Sequence, residues 1–187
     1  LKDVQDTLAS LIEPLRLLEI YRFFSVYTAD KTTNRKIKIV CRYQQYFGGK
    51  AIVDRVVSRC ETGIGPKKGL IWHFQGSGKS WLMVFASQML MKKVPKAPTV
   101  VIVDDRRDLR AQITGDFTRA EIPNLDFAYT KEELQTFFKN DQRKILITTI
   151  FLFGEIKKAL NARENIIVMV DEAHRTQEGD LGECMRV

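Results

Sequence analysis

Three continuous apolar runs constrain the fold of this chain more than any other feature. They are TVVIVD at residues 99–104, KILITTI at 144–150, and the apolar part of NIIVMVDEAH at 165–174. A run without alternating polar positions indicates a strand buried on both faces, as in parallel sheets covered by helices. Helical patterns separate the runs, and parallel strands need such crossovers. The sequence therefore predicts an α/β fold with a mostly parallel sheet between two helical layers.

Shorter patterns predict the remaining elements. Thr130 followed by Glu133 is typical of a capping box, so TKEELQTFFKN is predicted to be a helix. The apolar positions from Val4 to Phe23 have helical spacing, and Pro14 suits the first turn of a second helix there. The other predicted elements are strands at 37–41, 70–74 and 126–129 and helices at 42–60 and 79–93 and in the stretches RRDLRAQITGDF and FGEIKKALNA.

The stretch HFQGSGKS, residues 73–80, ends like a phosphate-binding loop. The usual pattern is G-x-x-x-x-G-K-[ST], and His73 stands where its first glycine belongs. A predicted strand precedes the loop and a predicted helix follows it, which is the context that such a loop requires. Loop N–H groups and a helix start bind phosphates, Lys79 would reach the β- and γ-phosphates, and the Ser80 hydroxyl would ligate Mg²⁺. The alternative is a Gly-Ser turn before a helix, with His73 packing at the strand end.

Two acids follow the third apolar run. Asp171 ends the predicted strand, as the Mg²⁺-binding acid of a phosphate-loop enzyme does, and Glu172 could polarise an attacking water. The alternative is a pair of solvated acids at a strand end. His174 is a second candidate base or a zinc ligand. A zinc site has little support, because His73 and His174 are the only histidines and H-E-x-x-H is absent.

Charge and cysteine content narrow the partners and the compartment. The net charge of +7 favours a polyanionic partner such as nucleic acid, and a basic surface without a partner is the alternative. The three cysteines are widely spaced and odd in number, which indicates a reducing, cytoplasmic location rather than a disulfide framework or zinc site. The apolar runs are too short for a membrane span.

Five stretches together resemble one family, in its order and spacing, over nearly the whole chain. They resemble motifs of the restriction (R) subunit of type I restriction–modification enzymes, a superfamily 2 DEAH-box helicase-like DNA translocase. Three residues depart from the family pattern: Phe74, Phe151 and Leu152 stand where Thr, Gln and Lys are usual. The five stretches are RYQQYFGGKAI, WHFQGSGKS, VVIVDDRRDLRAQI, ITTIFLF and VDEAHRTQEGDLG.

The resemblance implies a fold, an activity and partners. The fold is a RecA-like P-loop NTPase, a three-layer α/β sandwich preceded by a short helical linker. Residues 1–36 would be the linker from an N-terminal nuclease domain, and residues 37–187 the first RecA-like motor lobe, incomplete at its C-terminus. The activity is ATP hydrolysis, with Mg²⁺, that drives translocation of double-stranded DNA. The partners are that DNA and the methyltransferase and specificity subunits of a restriction complex.

The resemblance also implies roles for single residues. Arg42 and Gln45 match the family's adenine-side element, with Gln44 as the rival if the register slips by one. A polar helix start is the alternative reading of both. The other matched positions are Gly76, Ser77, Gly78, Lys79 and Ser80 for phosphate binding, Ser80 and Asp171 for Mg²⁺, Lys79 and Glu172 for catalysis, and His174 and Gln177 for coupling to a second lobe.

Four residues are candidates for DNA contact because they follow or end predicted strands. Arg106 and Arg107 follow the run at 99–104, and Thr148 and Thr149 end the run at 144–150. Ligands gather at the carboxyl ends of strands in open α/β folds. A translocase grips backbone rather than bases, so cations and hydroxyls suit the task. The alternative for the arginines is a solvated helix start, or an Arg107 pair with Asp104 or Asp105.

Three other functions remain open. The first is another superfamily 2 helicase or remodeller that is not linked to restriction. The second is a P-loop kinase or small-molecule NTPase, and the third is a DNA-binding module that uses no nucleotide. Because half of the cleft in such motors belongs to a second lobe, we expect this chain alone to bind ATP and Mg²⁺ but to turn ATP over poorly.

Overall fold

The structure is a computed structural model, and it describes residues 13–30, 32–74, 76–104, 120–154 and 160–171. Helices and strands follow each other along the chain much as the sequence predicts. The helices are α1 (Pro14–Phe23), α2 (Tyr43–Thr62), α3 (Lys79–Lys93), α4 (Lys131–Lys139) and α5 (Ile150–Gly154). The strands are β1 (Ser25–Ala29), β2 (Lys36–Val40), β3 (Thr99–Asp104), β4 (Leu125–Phe127), β5 (Ile145–Thr149) and β6 (Ile166–Val170).

A four-stranded parallel sheet forms the centre of the fold. Its strand order is β4-β5-β3-β6, so β3 lies between β5 and β6. Val103 is in register with Thr148 of β5 and with Val170 of β6. All six residues of β3 are buried, which is the burial that its unbroken apolar run predicts. The predicted α/β class is confirmed.

Helices cover both faces of this sheet. Alternate residues of a strand point to opposite faces, so Val100 and Ile102 pack in one core and Val101 and Val103 in another. The first core contains the apolar residues of α3, and the second contains Leu134 and its neighbours on α4. α4 begins as predicted: the Thr130 hydroxyl accepts the Glu133 N–H and the Glu133 carboxylate accepts the Thr130 N–H. The three layers are therefore helix, sheet and helix.

α2 contains a pair of glycines, which are disfavoured in a helix interior, where it approaches α3 and Phe24 closely. A Cβ at Gly48 would lie 2.7 Å from Leu82 Cδ1, and a Cβ at Gly49 would lie 2.7 Å from the Phe24 ring. Glycine in a helix costs about 1 kcal/mol relative to alanine. The close approach of α2 to α3 and to Phe24 explains why that cost is accepted here.

The first helix and a two-stranded ribbon pack onto the α3 side of the sandwich. β1 and β2 pair antiparallel, with Tyr27 opposite Lys38. Phe24 and Val26 are buried in the same core as α3, and Glu121 N–H donates to the Tyr27 carbonyl. The ribbon thus spans the predicted boundary between residues 36 and 37, and its first strand lies within the stretch assigned to the helical linker.

The prediction of a strand over residues 70–74 is wrong. These residues form no strand and join neither sheet. Leu70 is 82% exposed and Trp72 is 93% exposed, so the described residues leave these two side chains largely uncovered. An apolar stretch fits a strand locally, but a strand exists only where another strand pairs with it. Before this segment, α2 ends at Thr62, and its C-cap residue Gly63 has φ +69°.

A polar network closes the amino ends of the parallel strands. Arg163 donates to the Thr99 hydroxyl at the start of β3 and forms an ion pair with Asp141 beyond the end of α4. The Thr99 hydroxyl donates in turn to the Gln142 carbonyl at 2.8 Å. Further bonds of the network join Asn161 to the Phe138 carbonyl, and Arg143 and Asn165 to the Lys96 carbonyl.

Three predicted helices fall partly or wholly beyond what the structure describes. The helix predicted before Pro14 and the helix in RRDLRAQITGDF lie outside the described residues, and FGEIKKALNA lies within them only at its two ends. Among the described helices, none combines the length and the apolar character that crossing a membrane would take.

Candidate nucleotide-binding site

Two glycines with left-handed backbone flank Ser77 in the loop at residues 76–78. Gly76 has φ +78° and Gly78 has φ +83°, values in the left-handed region that favours glycine. Between them, Ser77 is 2% exposed, and its N–H donates to the Phe74 carbonyl at 3.3 Å. The loop is therefore a compact turn whose conformation depends on its two glycines.

The loop leads directly into α3. Gly78 is the N-cap residue of this helix and offers no side chain to the first-turn N–H groups. The first N–H groups of a helix have no intrahelical partners and carry its partial positive charge, so they suit an anion. Lys79 and Ser80 are the first two helical residues, and both are half-buried. α3 has the bounds that the sequence predicts.

Gln45 contacts the loop from α2. Its Nε2 donates to the Gly78 carbonyl at 2.9 Å, and its Oε1 accepts the Arg42 N–H at 2.7 Å. The side chain is almost fully buried, with 5% of the residue exposed. Arg42, the N-cap residue of α2, is exposed, and Gln44 is half-buried. Of the three adenine-side candidates, Gln45 is the one that the structure joins to the loop.

His73 contacts the loop from the preceding segment. Its Nδ1 lies 3.2 Å from the Ser77 hydroxyl, within hydrogen-bonding distance. Its Nε2 faces α2, at 3.1 Å from where a Cβ of Gly48 would be. The residue that replaces the usual glycine is thus neither exposed nor simply packed, because it binds the loop. Phe74 is 63% exposed, so its side chain does not crowd the loop.

Three polar residues lie at the carboxyl ends of the parallel strands. Asp171 follows β6, and its N–H donates to the Val103 carbonyl at 2.9 Å. Asp104 ends β3 and is 3% exposed, and its register partner Thr149 ends β5. Parallel strands bring their carboxyl ends to one side of a sheet, where ligands bind in open α/β folds. The pattern of the sequence did not single out Asp104, although its place at the end of an apolar run is that of Asp171.

Thr148 and Thr149 have different environments. The Thr148 side chain is fully buried, and its hydroxyl donates to the Ala128 carbonyl at 3.1 Å. A DNA contact through this hydroxyl requires that bond to break. Thr149 is half-buried at the end of the strand, so it is the more accessible of the two DNA candidates.

The remaining candidates lie outside the described residues. They are Arg106, Arg107, Glu172, His174 and Gln177. Within the described ranges, no group of three or more His, Cys, Asp and Glu side chains is arranged to hold a metal ion. The described oxygen donors that match the predicted Mg²⁺ ligands are the Ser80 hydroxyl and the Asp171 carboxylate. Both are hard donors of the kind that Mg²⁺ prefers.

An ionic cluster ties the loop-binding helix α2 to α1 and α3. Glu19 of α1 accepts hydrogen bonds from the Tyr46 hydroxyl at 2.9 Å, from Lys50 Nζ at 3.2 Å and from Lys93 Nζ at 3.4 Å. Burial acts to raise the pKa of Glu19, but these hydrogen bonds and the two lysine charges outweigh it and lower the pKa below 4.5. Burial, and then the Glu19 charge, raise the pKa of Tyr46 to about 12. No feature of the sequence pattern pointed to this cluster.

Comparisons with known proteins give a consistent result. Residues 44–187 match the SWI2/SNF2 ATPase family. The type I restriction enzyme HindI endonuclease subunit of Haemophilus influenzae is 34% identical over 187 aligned positions, in a match that covers 95% of this chain and 18% of that protein. The MjaIXP endonuclease subunit of Methanocaldococcus jannaschii, also named for a type I restriction enzyme, is 34% identical over 166 residues, or 84% of this chain and 16% of that protein. The chain thus spans less than a fifth of the length of these relatives, and the resemblance to R subunits is confirmed.

Proposed function

This chain belongs to the SWI2/SNF2 ATPase family, and on that premise we propose that it is the ATP-hydrolysing motor part of a type I restriction endonuclease subunit. In this proposal, hydrolysis drives translocation of double-stranded DNA. The observation that carries the nucleotide part is the Gly76–Gly78 turn at the uncapped start of α3. A triphosphate is the ligand whose charge and oxygens such a turn and helix start suit.

The residues of the turn and of the strand ends have separate roles in this proposal. Lys79 places a cation on the β- and γ-phosphates, and Ser80 and Asp171 hold Mg²⁺. Bound Mg²⁺ neutralises charge that develops on the transferred phosphoryl group. Glu172 follows Asp171 in the chain and orients the attacking water.

The motor part of the proposal rests on position and charge. Arg106 and Arg107 follow β3, and Thr149 ends the neighbouring strand β5. Contacts from such groups to phosphates are independent of base sequence, as a translocase requires. His174 and Gln177 would report the state of the nucleotide to a second motor lobe. The division into a linker at 1–36 and a first lobe at 37–187 belongs to the same proposal.

The names of the relatives support a proposal about partners and compartment. Because the relatives are named as endonuclease subunits of type I restriction enzymes, we infer that the whole protein acts on DNA together with methyltransferase and specificity subunits in the cytoplasm. A superfamily 2 DNA helicase or remodeller outside restriction is the alternative. Co-purification of the full-length protein with a methyltransferase and a specificity subunit supports the first, and ATP-driven translocation by a protein that binds neither supports the alternative.

The test of the proposal is Lys79→Ala in the full-length protein. We expect DNA-stimulated ATP hydrolysis to fall at least about 100-fold, because the charge stabilisation that Lys79 gives to the transferred group is lost. Hydrolysis is measured by phosphate release, and translocation by displacement of a third strand from a DNA triplex. Lys92→Ala, an exposed lysine in the last turn of the same helix, is the matched control and should leave both rates unchanged. An undiminished rate in Lys79→Ala would rule out the proposed site.

A second measurement concerns the chain by itself. We expect the isolated chain to bind ATP and Mg²⁺ while hydrolysing ATP slowly and with little response to DNA. Robust DNA-stimulated hydrolysis by the isolated chain contradicts the view that a second lobe completes its cleft.

A further inference from the structure

We propose that the outer face of the β1–β2 ribbon is a second DNA-binding surface, which contacts the phosphate backbone of double-stranded DNA outside the candidate nucleotide-binding site. The outer face is defined here by two tyrosines and two lysines: Tyr21 in the last turn of α1, Tyr27 of β1, and Lys36 and Lys38 of β2. This inference rests on the proposed function, in which the protein moves along DNA. None of the DNA candidates predicted from the sequence lies on the ribbon.

The two faces of the ribbon differ in character. Successive residues of a strand point to opposite faces. Val26 and Thr28 of β1 are buried, and Val26 packs in the core that contains α3. Tyr27 lies between them and points the other way, directly opposite Lys38 in the antiparallel register. The inner face therefore joins the core, while the outer face presents aromatic and charged side chains.

Tyrosine rings and lysine ammonium groups alternate across the outer face. Lys38 Nζ lies 4.2 Å from the centroid of the Tyr21 ring and 5.5 Å from that of the Tyr27 ring. Lys36 Nζ lies 4.9 Å from the Tyr27 centroid. An ammonium within about 6 Å of a ring centroid is attracted to the face of the ring. Because Tyr21 is 65% exposed and Tyr27 is 41% exposed, the rings can orient the lysines and still be reached by a ligand.

The positive charge around the outer face exceeds the negative charge. Lys36 forms an ion pair with Glu121 at 2.7 Å, but no carboxylate of the described residues lies within ion-pair distance of Lys38. The acid of the ribbon turn, Asp30, is held within the turn by three hydrogen bonds to its Oδ1. Arg35 is exposed next to Lys36 in the chain and adds a further cation. The face thus favours an anionic partner.

The chemistry of the outer face fits a DNA backbone. Lysine ammonium groups and tyrosine hydroxyls are both donors that proteins use to bind phosphate oxygens. Lys36 and Lys38 are two positions apart on one strand, so their side chains leave the backbone about 7 Å apart. Phosphates of one DNA strand follow each other at about 3.4 Å along the duplex axis, so the two lysines can reach separate phosphates. Such contacts carry no sequence information, which suits a protein that moves along DNA.

The ribbon lies apart from the candidate nucleotide-binding site. It contacts the segment before β4, where the Glu121 N–H donates to the Tyr27 carbonyl at 2.9 Å. The candidate site instead lies at the start of α3 and at the carboxyl ends of the strands. Substitutions on the outer face should therefore weaken DNA binding and leave nucleotide binding unchanged.

Lysines on an exposed strand also have a protective role in many proteins. β2 is an edge strand, and lysines on an edge oppose pairing with strands of other molecules. That role predicts aggregation when a lysine is lost, with no change in DNA affinity. It also leaves the alternation of tyrosines with lysines unexplained.

The first experiment compares Lys38→Gln with Lys139→Gln in the full-length protein. Both changes remove one charge from an exposed lysine, and Lys139 lies on α4, which covers the opposite face of the sheet. Fluorescence anisotropy gives dissociation constants for a duplex of arbitrary sequence at several salt concentrations, without nucleotide. We expect Lys38→Gln to raise the constant about three- to tenfold and to reduce the slope of log affinity against log salt by about 0.9, the value for one phosphate contact. Lys139→Gln should change neither quantity.

The second experiment tests the tyrosine rings. Tyr21→Ala removes the ring that Lys38 contacts, whereas Tyr21→Phe removes only the hydroxyl. We expect Tyr21→Ala to raise the dissociation constant for the duplex about two- to fivefold, the range for an exposed cation–π contact, with a smaller change of salt slope than in Lys38→Gln. Tyr21→Phe should have an affinity between those of Tyr21→Ala and wild type. Equal affinities for Tyr21→Ala and wild type would remove the rings from the surface.

The outcomes separate this inference from the proposed function. If the wild-type protein binds no duplex, the proposed DNA motor fails. If it binds the duplex and both Lys38→Gln and Tyr21→Ala bind it equally well, the ribbon surface is refuted while the motor stands. Weaker binding of single-stranded DNA alone, or loss of a methyltransferase or specificity subunit with duplex affinity intact, also refutes it. Weaker duplex binding, with the dissociation constant for Mg²⁺·ATP and the midpoint of thermal unfolding unchanged, supports the ribbon surface.

Discussion

At the amino ends of its strands the parallel sheet is closed by a polar network, whereas at the carboxyl ends the same strands carry the candidate site. Arg163, Asp141 and Thr99 bind one another at the closed end, together with backbone carbonyls of the adjoining turns. At the other end the strands finish in Asp104, Thr149 and Asp171. One sheet thus separates a polar network at its amino ends from the proposed site at its carboxyl ends.

The two ends differ in the part that the proposed function gives them. Side chains of the amino-end network bind other protein groups, so removing one leaves a partner without its bond. Acids at the carboxyl end stand where a cation and phosphates would bind in the proposed function. Substitutions at the amino ends should therefore lower mainly stability, and substitutions at the carboxyl ends should lower mainly activity.

The largest difference between the effects on activity and on stability is expected for Asp171→Asn. We expect DNA-stimulated ATP hydrolysis to fall at least about 100-fold, because an amide binds Mg²⁺ more weakly than a carboxylate. The midpoint of thermal unfolding should change less than in Arg163→Leu, because the amide keeps the size of the side chain and one acceptor oxygen. Phosphate release and calorimetry on the same preparation measure the two quantities. Asp54→Asn, on the exposed surface of α2, is the control. A large loss of stability in Asp171→Asn would show that the carboxyl end also contributes to stability.

The converse result is expected for Arg163→Leu. The change removes the hydrogen bond to Thr99 and the ion pair with Asp141 while it keeps an apolar stem. We expect the free energy of unfolding to fall by about 1–3 kcal/mol, with the dissociation constant for ATP unchanged at a temperature where the protein stays folded. Urea unfolding measures the first and equilibrium titration the second. Arg35→Leu, an exposed arginine in the ribbon turn, should cost little, and weakened ATP binding in Arg163→Leu would show that the two ends are coupled.

The smallest effect, and a pH-dependent one, is expected for Glu19→Gln. The folded pKa of Glu19 is lowered from 4.5, so its contribution is complete above pH 4.5 and is lost as pH falls through the folded pKa. The difference in unfolding free energy between wild type and Glu19→Gln should therefore be largest above pH 4.5 and shrink at lower pH. Urea unfolding across pH 3 to 7 measures it, with Glu132→Gln on the exposed side of α4 as control. A difference that does not depend on pH would mean that the ionic bonds of Glu19 contribute nothing.

The candidate site was predictable where its signal is local. The start of α3 and the acid after β6 each occupy a few consecutive residues, and the structure places both as predicted, whereas the strand predicted before the loop does not form. The bond between Gln45 and Gly78 was not predictable, because no local pattern joins residues of α2 to the loop. In the sequence, His73 is notable only because it stands where a glycine is usual. Its contact with Ser77 depends on the fold of the turn, so no local pattern predicts it.

Local energetics determined the element types, while tertiary contacts determined the pairing. The unbroken apolar run of β3, the capping box of α4 and the bounds of α3 were all readable in the chain, since propensity and periodicity act over a few residues. Residues 70–74 have an equally apolar pattern and form no strand, because a strand requires a partner that no local pattern supplies. The order β4-β5-β3-β6, the hydrogen bond from Gln45 to Gly78 and the network of Arg163 join distant segments. Such contacts form only when the packed fold offsets the entropy of ordering the chain between them, and for that reason the tertiary structure alone decided them.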